Sequence, residues 1–213
     1  MRPLYCFVSI LMTFSLQEEV QSATTFVRAG NIYFVQDNNQ TIQLTRAGFA
    51  HAPVLSPDKK SVAFIRTGID TLPERCRDFS DTHSTYGKQI WIIDVEHKKE
   101  RLLVKNNFAC DKPMEMIITP HHLTFSPDSK TLYFLTYAWT TSNALHAVNI
   151  ADAKQRYLLP ANSLAVATNE EYKGDLILNQ HRYFIGGGSY DWYWLFTPEG
   201  KEIGPLGEEP SIK

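Results

Sequence analysis

Two stretches of the chain, APVLSPDKKSVAFIRTG (residues 52–68) and HLTFSPDSKTLYFLTYA (residues 122–138), follow one pattern. Each has an apolar run, a Ser-Pro-Asp turn that carries lysine, and a second apolar run. Pro57 and Pro127 fix φ at the first corner of a tight turn, and the aspartate that follows each proline can bond to the turn backbone. Because the flanking runs are rich in β-branched and aromatic residues, each stretch is predicted to form a β-hairpin.

The pattern continues in the same way after both hairpins. The sequence QIWIIDVEHKKERLLV (residues 89–104) follows the first hairpin, and ALHAVNIADAKQRYLL (residues 144–159) follows the second. Each reads as a strand, a charged turn and another strand. The repeating unit is therefore four strands, a to d, joined as successive hairpins.

A weaker unit precedes these two units, and another follows them. The first unit has segments that match strands b, c and d but lacks a clear strand a. In the last unit, the a–b turn is expected to shrink to Asn179, Gln180 and His181. The four units are predicted at residues 24–48, 49–106, 116–160 and 175–213.

Units of about 45 residues are typical of propeller blades, so the pattern predicts an all-β, β-propeller-like domain with about four blades of four-stranded antiparallel sheet. The domain is expected over residues 24–213. Closure within one chain is favoured because it removes exposed strand edges, and residues 209–213 would then complete the first blade. The alternatives are an open propeller arc, which could pair its blade edges with a second copy in a homo-oligomer, and a β-sandwich. Residues 161–172 are compatible with a short helix.

The repeats resemble those of a known family. The paired SPD-K-x-x-A/Y-F segments, followed by IWIIDV (residues 90–95), look like the WD40-like PD40 repeats of TolB-type β-propellers. The resemblance covers nearly all of the predicted domain and is strongest in the two central units. It implies a periplasmic propeller that binds a protein or peptide and catalyses nothing. The chain departs from the family in size, because TolB-type propellers have six blades and a separate α/β domain.

The first 23 residues stand apart from the repeats. Arg2 precedes an apolar run without charge (residues 4–16), and small residues follow at Ser22 and Ala23. This order predicts a secretory signal peptide over residues 1–23, with an uncleaved anchor as the alternative. The mature protein is expected to be periplasmic or extracellular, with no membrane insertion after signal cleavage. The formal net charge of −2 gives no bulk attraction to nucleic acid, which is not an expected partner.

Two cysteines, Cys76 and Cys110, remain after the predicted leader. In an oxidising compartment they are expected to form a disulfide, and two unrelated thiols are the alternative. Propeller topology places the a–b and c–d turns at one end of the sheets and the b–c and d–a connections at the other end. Both cysteines fall in connections of the second kind, which are long. These long connections are predicted at residues 67–88, 105–121, 136–143, 160–174 and 186–191.

The end with the long connections is the predicted binding face, because long loops on a rigid scaffold commonly carry function. Tyrosine and tryptophan are enriched at recognition surfaces, since they bring large contact area at little entropic cost. Five such residues fall in or beside the long connections: Tyr86, Tyr137, Trp139, Tyr190 and Trp192. We expect a non-enzymatic module that binds a protein or peptide there, with packing of Trp192 and Tyr86 beneath the loops as the alternative.

Ser189 lies in IGGGSYDWYWLF (residues 185–196), where a glycine-rich bend suggests a catalytic serine. A nucleophile elbow needs a glycine two residues after the serine and a helix beyond it. Here Asp191 replaces that glycine, and the residues that follow read as a strand. The segment is therefore predicted to be a loop between two strands, and no catalytic residue is expected.

Metal or cofactor binding is not expected either. His83, His121 and His122 lack the three or four convergent ligands of a metal site, and neighbouring histidines on a strand point to opposite faces. The charged residues 75–83 do not have the spacing of a calcium loop. Two other functions fit propeller repeats: an accessory or remnant propeller of a prolyl-oligopeptidase-type serine peptidase, and a propeller that binds a small ligand or sugar.

Overall fold

The computed structural model describes residues 23–79 and 85–210. Residues 1–22 of the predicted leader, His83 and residues 211–213 lie outside the described residues. Within them, fifteen β-strands form four antiparallel sheets, and the single helix is a short 3-10 helix, Glu74–Phe79. None of the described residues belongs to a helix with the length and hydrophobicity needed to cross a bilayer. The predicted all-β class is confirmed.

Each sheet is built from strands that are consecutive in the chain. Sheet 1 contains β1 (Thr24–Arg28), β2 (Asn31–Val35) and β3 (Thr41–Gln43). Sheet 2 contains β4 (Ala50–Leu55), β5 (Ser61–Thr71), β6 (Tyr86–Asp94) and β7 (Glu100–Val104). Sheet 3 contains β8 (His121–Phe125), β9 (Thr131–Tyr137), β10 (Asn143–Asn149) and β11 (Gln155–Ala161). Sheet 4 contains β12 (Ser163–Val166), β13 (Leu176–Tyr183), β14 (Ser189–Phe196) and β15 (Glu202–Gly207).

The Ser-Pro-Asp turns that open sheets 2 and 3 share one set of hydrogen bonds. Ser56 Oγ lies 2.6 Å from Asp58 Oδ1 and accepts a bond from Ser61 N at 2.9 Å. In sheet 3, the hydroxyl of Ser126 lies 2.6 Å from Asp128 Oδ1, and this bond is the main reason that the pKa of Asp128 is below its ordinary value. The shared turn chemistry explains why both hairpins form where the sequence predicts them.

Neighbouring sheets pack face to face and bury an apolar layer between them. Phe64, Phe134 and Leu178 occupy matching positions on the second strands of sheets 2, 3 and 4. Each of the three is fully buried against the preceding sheet. The sheets are therefore stacked in sequence order, as blades are in a propeller.

The sheets form an open arc. The inner strands connect them in series, because β1 lies against β4, β4 against β8 and β8 against β12. Among the described residues, no comparable set of contacts joins a strand of sheet 4 to a strand of sheet 1. The expected closure within one chain is therefore not observed in this part of the protein, and the open-arc alternative describes it. The first sheet has three strands, as its weaker repeat predicts.

The start of the fourth sheet differs from the prediction. Its first strand is β12, and Asn179, Gln180 and His181 lie inside β13, so the predicted a–b turn at these three residues is wrong. Gln180 is buried and donates from Nε2 to Pro160 O at 2.6 Å. Because its side chain is buried and hydrogen-bonded, Gln180 continues the strand although residues 179–181 are polar. Residues 161–172 likewise contain β12 in place of the short helix.

Candidate binding face

A disulfide holds two long connections of sheet 2 together. Cys76 lies in the 3-10 helix after β5, and Cys110 follows β7. The two residues are joined, with their Cα atoms 5.5 Å apart. The prediction that these cysteines lie on one face and form a disulfide is confirmed. We call this end of the sheets, with the connections after the second and fourth strands, the long-loop face.

A small apolar core lies beneath these connections. Its buried members are Leu72, Cys76, Met116 and Ile118. Lys88 N donates to Ile118 O at 2.7 Å, and Asn107 and Ile117 exchange two backbone bonds of 2.8 Å. The backbone approaches closely at Gly87, where a Cβ would lie 2.6 Å from the ring of Phe108. The described parts of these connections therefore form a platform with its own core.

Most of the exposed large apolar side chains in the described part of the protein lie at the long-loop face. Thirteen such side chains are exposed, and nine of them lie at this end: Phe49, Ile69, Tyr86, Met114, Tyr137, Trp139, Tyr183, Phe184 and Ile185. The other four are Phe26, Val27, Leu102 and Ile203. Concentrated apolar exposure of this kind marks interaction surfaces.

The hairpin between β13 and β14 presents apolar side chains at its tip. Ile185 is fully exposed, and Phe184 N donates to Gly188 O at 3.1 Å to close the turn. Gly187 and Gly188 have φ of +96° and +86°, a region that favours glycine. The glycine-rich bend therefore serves the turn. Ile69, which is 91 % exposed on the extension of β5, is a second fully accessible apolar side chain.

Tyr190 and Trp192, two of the five predicted binding aromatics, lie together. Their ring centroids are 5.1 Å apart, and Tyr190 also contacts Phe184 at 4.6 Å. Both side chains are half-buried and pack against the core between sheets 3 and 4. Trp192 therefore packs partly beneath the loops, as its alternative describes, whereas Tyr86, for which the same alternative was given, is exposed.

The other three predicted aromatics, Tyr86, Tyr137 and Trp139, are exposed. Tyr137 contacts the ring of His121 at 4.8 Å, and Trp139 contacts the ring of Tyr157 at 6.3 Å. The structure thus places these residues where a partner can reach them. Six further exposed residues of this face were not predicted: Phe49, Ile69, Met114, Tyr183, Phe184 and Ile185. In the sequence, the signal that could have identified these six residues is the presence of apolar side chains in or beside long polar connections.

Ser189 opens β14, so a strand and not a helix follows it. His181 Nδ1 lies 2.9 Å from Oδ1 of Asp191, which is opposite it on the neighbouring strand β14. Among the described residues, no hydrogen bond joins the Ser189 hydroxyl to His181. The bend is the predicted connection between two strands, but it ends at Gly188, and residues 189–191 of the predicted connection belong to β14.

His121 and His122 do not point to opposite faces of a regular strand, and that prediction is wrong. His122 has φ of +51°, and the register of β8 shifts between His121 and Thr124, so the strand has a bulge. The two rings lie 5.2 Å apart. Ala52, with φ of +48°, gives β4 the same irregularity. In the described ranges, no three His, Cys, Asp or Glu side chains converge in a way that could hold a metal ion.

The opposite end of the sheets, with the short turns, has clefts between neighbouring sheets that the sequence did not predict. A cleft of about 620 Å³ lies between sheets 3 and 4, lined by Pro127, Asp128, Tyr133, Lys173, Pro198 and Glu199. Another of about 510 Å³ lies between sheets 1 and 2. In that cleft, Lys59 Nζ lies 2.9 Å from Asp37 Oδ2, and this bond lowers the pKa of Asp37.

Residues 167–175 belong to the short-turn end, so the prediction that residues 160–174 form a long-loop connection is wrong. The segment joins β12 to β13, and Lys173 and Gly174 line the cleft beside Pro127. Tyr172 packs against the outer side of sheet 4, where Ile177 and Leu195 are each 3 % exposed. The error follows from the missed strand β12, because an extra strand moves the next connection to the other end.

Solved structures with a similar fold include propellers of two kinds. TolB from Acinetobacter baumannii matches 90 % of this chain at 15 % identity and a TM-score of 0.52. Dipeptidyl peptidase 4 from Porphyromonas gingivalis matches 88 % of the chain at 11 % identity and a TM-score of 0.59. The β-propeller domain of the Trilobed protease from Pyrococcus furiosus, described as having an open velcro topology, matches 82 % of it at 16 % identity and a TM-score of 0.52.

The chain spans less than half of each of these structures: 41 % of the TolB chain, 31 % of the peptidase and 47 % of the protease propeller domain. No protein-family model and no curated protein sequence matches the chain. At these identities, the similarity establishes the fold alone. The chain has a β-propeller-like fold of the kind found in TolB and in peptidase propeller domains.

Proposed function

We propose that the protein is a non-enzymatic binding module whose long-loop face holds a protein or peptide partner. The observation that carries this proposal is the concentration of exposed apolar side chains on loops that are ordered by a disulfide and a small core. An ordered surface loses little conformational entropy on binding, so more of the contact energy is available for affinity.

The chemistry of the face favours an apolar segment of a partner chain. Ile69, Phe49 and Ile185 can each bury substantial surface, at about 25 cal/mol per Å² of apolar area removed from water. Charged residues of the 3-10 helix, such as Glu74 and Arg77 at 3.8 Å from each other, lie at the same end and can supply a polar rim.

The disulfide and the similarity to TolB support a compartment outside the cytosol, periplasmic or extracellular. Disulfides persist in oxidising compartments, which agrees with the leader predicted from the sequence. We include this localisation in the proposal.

Exposed apolar residues on and off the face provide matched variants. The protein is immobilised, native envelope extract is passed over it, and the affinity of any retained protein is then measured for each variant. Ile69→Ser and Ile185→Ser should weaken that affinity, each by at least about tenfold if they meet a buried part of the contact. Leu102→Ser and Ile203→Ser remove exposed apolar side chains elsewhere and should leave it unchanged. Equal loss in all four variants, or in none, would contradict the proposal.

A second candidate function follows from the similarity to peptidase propeller domains. In that case, the chain is an accessory propeller that docks on a separate serine hydrolase. Purification of the protein from its native source, followed by labelling with a serine-hydrolase probe, distinguishes the two functions. A labelled hydrolase that co-elutes and is lost in Ile185→Ser would favour the accessory role, and a hydrolase-free complex would contradict it.

A further inference from the structure

The cleft of about 620 Å³ between sheets 3 and 4 contains polar groups that have no partner among the described residues. Its volume is typical of sites for small molecules. We call it the sheet 3–4 cleft, and it lies at the short-turn end, away from the long-loop face. The wall from sheet 3 includes Pro127, Asp128 and Tyr133, and the wall from sheet 4 includes Lys173, Pro198 and Glu199.

Tyr133 brings a buried hydroxyl to this cleft. Its side chain is 2 % exposed and packs in the core between the two sheets. The charged groups that act on the hydroxyl are those of Arg156, Glu199 and Asp128. Because all three lie at the short-turn end, the hydroxyl points out of the core and into the cleft. No group in the described ranges forms a hydrogen bond with it, and a buried hydroxyl without a partner is unfavourable.

The repeat does not account for this hydroxyl. The residues at the position that matches Tyr133 are Ala63 in sheet 2 and Ile177 in sheet 4, and both are buried apolar residues. Burial raises the pKa of Tyr133 to about 12, so the hydroxyl keeps its proton at neutral pH and can donate a hydrogen bond. Sheet 3 therefore has a donor at a position where sheets 2 and 4 have only an apolar side chain.

The wall from sheet 4 carries two opposite charges that are not paired. Neither the ammonium group of Lys173 nor the carboxylate of Glu199 forms a hydrogen bond or an ion pair within the described part of the chain. Asp128, by contrast, accepts a bond of 2.6 Å from Ser126 Oγ. The pKa of Asp175 is raised by desolvation and then by the charge of Glu199, so a second carboxylate lies near Glu199. This arrangement favours a cationic group beside Glu199 and an anionic group beside Lys173.

Arg156 holds the turn that carries Glu199 against sheet 3. It lies at the start of β11 and donates to Pro198 O at 3.3 Å and to Glu199 O at 3.5 Å, both in the turn between β14 and β15. Pro127 and Pro198 add rigid apolar surface on opposite walls of the cleft. Because these groups are already in place, binding of a ligand between them requires little reorganisation.

We propose that the sheet 3–4 cleft binds a small zwitterion, an α-amino acid with an apolar side chain. The ammonium group of the ligand pairs with Glu199, and its carboxylate pairs with Lys173 and accepts a hydrogen bond from the hydroxyl of Tyr133. The apolar side chain of the ligand contacts the two prolines. A ligand with charge of a single sign would leave Lys173 or Glu199 without a partner, so a zwitterion complements the cleft better. This site does not rest on the partner proposed for the long-loop face.

Isothermal titration calorimetry with L-valine, L-leucine and L-phenylalanine tests the proposal, and at least one of the three should bind. For the amino acid that binds, the N-acetyl derivative lacks the ammonium group and the amide derivative lacks the carboxylate. Each derivative should bind at least about tenfold more weakly, because one charged contact is lost. Absence of binding for all three amino acids at about 10 mM, where a site with a millimolar dissociation constant is mostly filled, would overturn the proposal. So would a derivative that binds as tightly as the amino acid.

Variants of the cleft assign each contact, with circular dichroism as the check on folding. Tyr133→Phe removes only the hydroxyl, so it should weaken binding by at least about tenfold while the free energy of unfolding stays at or above the wild-type value. Glu199→Gln should weaken binding of the amino acid but not of its N-acetyl derivative. Lys173→Gln should weaken binding of the amino acid but not of its amide.

Lys201→Gln is the matched control, because it removes an exposed lysine that belongs to the same turn as Glu199 but does not line the cleft. This variant should bind the amino acid as the wild type does. Binding that Tyr133→Phe and Glu199→Gln leave intact would place the ligand elsewhere and contradict the assignment. Equal loss in Lys201→Gln and Glu199→Gln would do the same, since it would show an effect of the turn and not of a contact.

Discussion

The guanidinium of Arg66 lies 2.7 Å from the carboxylate of Glu100, across three strands of sheet 2 and facing sheet 1. The same guanidinium lies over the ring of Trp91, 4.7 Å from its centroid, so strands β5, β6 and β7 each contribute one member of a cluster. Both charged side chains are mostly buried, with 14 % and 24 % exposed. This cluster fixes the relative positions of the three outer strands of the blade.

Sheet 4 repeats the cluster. Arg182 lies 2.7 Å from Glu202 and 3.5 Å over the ring of Trp194. Trp91 and Trp194 occupy matching positions on the third strand, although Arg182 enters from a position two residues further along its strand. Two blades with limited sequence similarity therefore lock their outer strands by the same chemistry, in which a cation stacks on tryptophan and bonds to a glutamate.

Removal of Arg66 should destabilise the fold, because it leaves Glu100 partly buried without a counter-ion and removes a cation–π contact. We expect Arg66→Ala to lower the free energy of unfolding by about 2 kcal/mol, measured by urea denaturation. The pair of Lys59 and Asp37 is about half exposed on both sides, so Lys59→Ala should cost less than about 1 kcal/mol. An Arg66→Ala protein as stable as Lys59→Ala would show that the cluster contributes nothing.

In sheet 3, a histidine stands at the position that tryptophan occupies in sheets 2 and 4. His146 takes the place of tryptophan, and it lies 3.1 Å from Thr136 Oγ1 and 3.2 Å from Gln155 Nε2. The imidazole is fully buried and stacks on Phe134 at 5.2 Å. Desolvation lowers the pKa of His146 from 6.5 to about 4. The blade is therefore locked by a neutral histidine network in place of a cation.

The buried imidazole predicts a loss of stability in mild acid. The unfolded state takes up a proton near pH 6.5, while the folded state resists it until about pH 4. The contribution of His146 is complete above pH 6.5 and decreases as the pH falls toward 4. Between pH 7 and pH 4.5 we expect the free energy of unfolding to fall by about 2 kcal/mol from this group.

Chemical denaturation at pH 7 and pH 4.5 measures this fall, and His146→Gln is the comparison because glutamine does not titrate. The decrease in the variant should be smaller than in wild type by about 2 kcal/mol. The lowered pKa of Asp128 affects stability only below its ordinary value of 3.8, so it does not enter this window. Identical slopes in the two proteins would contradict the assignment.

The sequence predicted the blades wherever turn chemistry was strong. Ser56 with Asp58, and Ser126 with Asp128, mark hairpins that the structure contains at the predicted positions. The disulfide also followed from topology, because two connections at one end of a blade must be neighbours. The fourth blade was misplaced because Gln180 reads as a turn residue, and only its burial and its bond to Pro160 reveal a strand.

Binding residues were harder to predict than blades. Tyr190 and Trp192 were expected at the surface, but alternation along β14 points both toward sheet 3, which half-buries them. Ile69 and Ile185 were not predicted, since an isolated isoleucine in a loop reads as a core residue until its neighbours are known. Exposure depends on contacts between distant parts of the chain, which local pattern does not supply.

Removal of the disulfide should loosen the long-loop face. The two cysteines are 34 residues apart, and closing a loop of this size contributes about 3–4 kcal/mol in the chain-entropy model. We expect Cys76→Ala/Cys110→Ala to lower the free energy of unfolding by up to this amount, and hydrogen exchange to rise first around Leu72 and Met116. Reductant should shift the wild-type protein toward the variant and leave the variant unchanged. Equal exchange in both proteins would contradict the role of the disulfide in ordering this face.

Tyr172 covers part of the outer side of sheet 4, and we expect this cover to limit assembly at that end of the arc. Tyr172 packs on Ile177 and Leu195, so Tyr172→Ser should expose both and lower the free energy of unfolding by about 1–2 kcal/mol. Because the uncovered side of a terminal blade resembles an inter-blade surface, the variant should also form species larger than the wild type in sedimentation velocity. Tyr183→Ser is the control, since Tyr183 lies on the same side of sheet 4 but is already 67 % exposed. If both variants sediment as the wild type does, Tyr172 does not act as a cover.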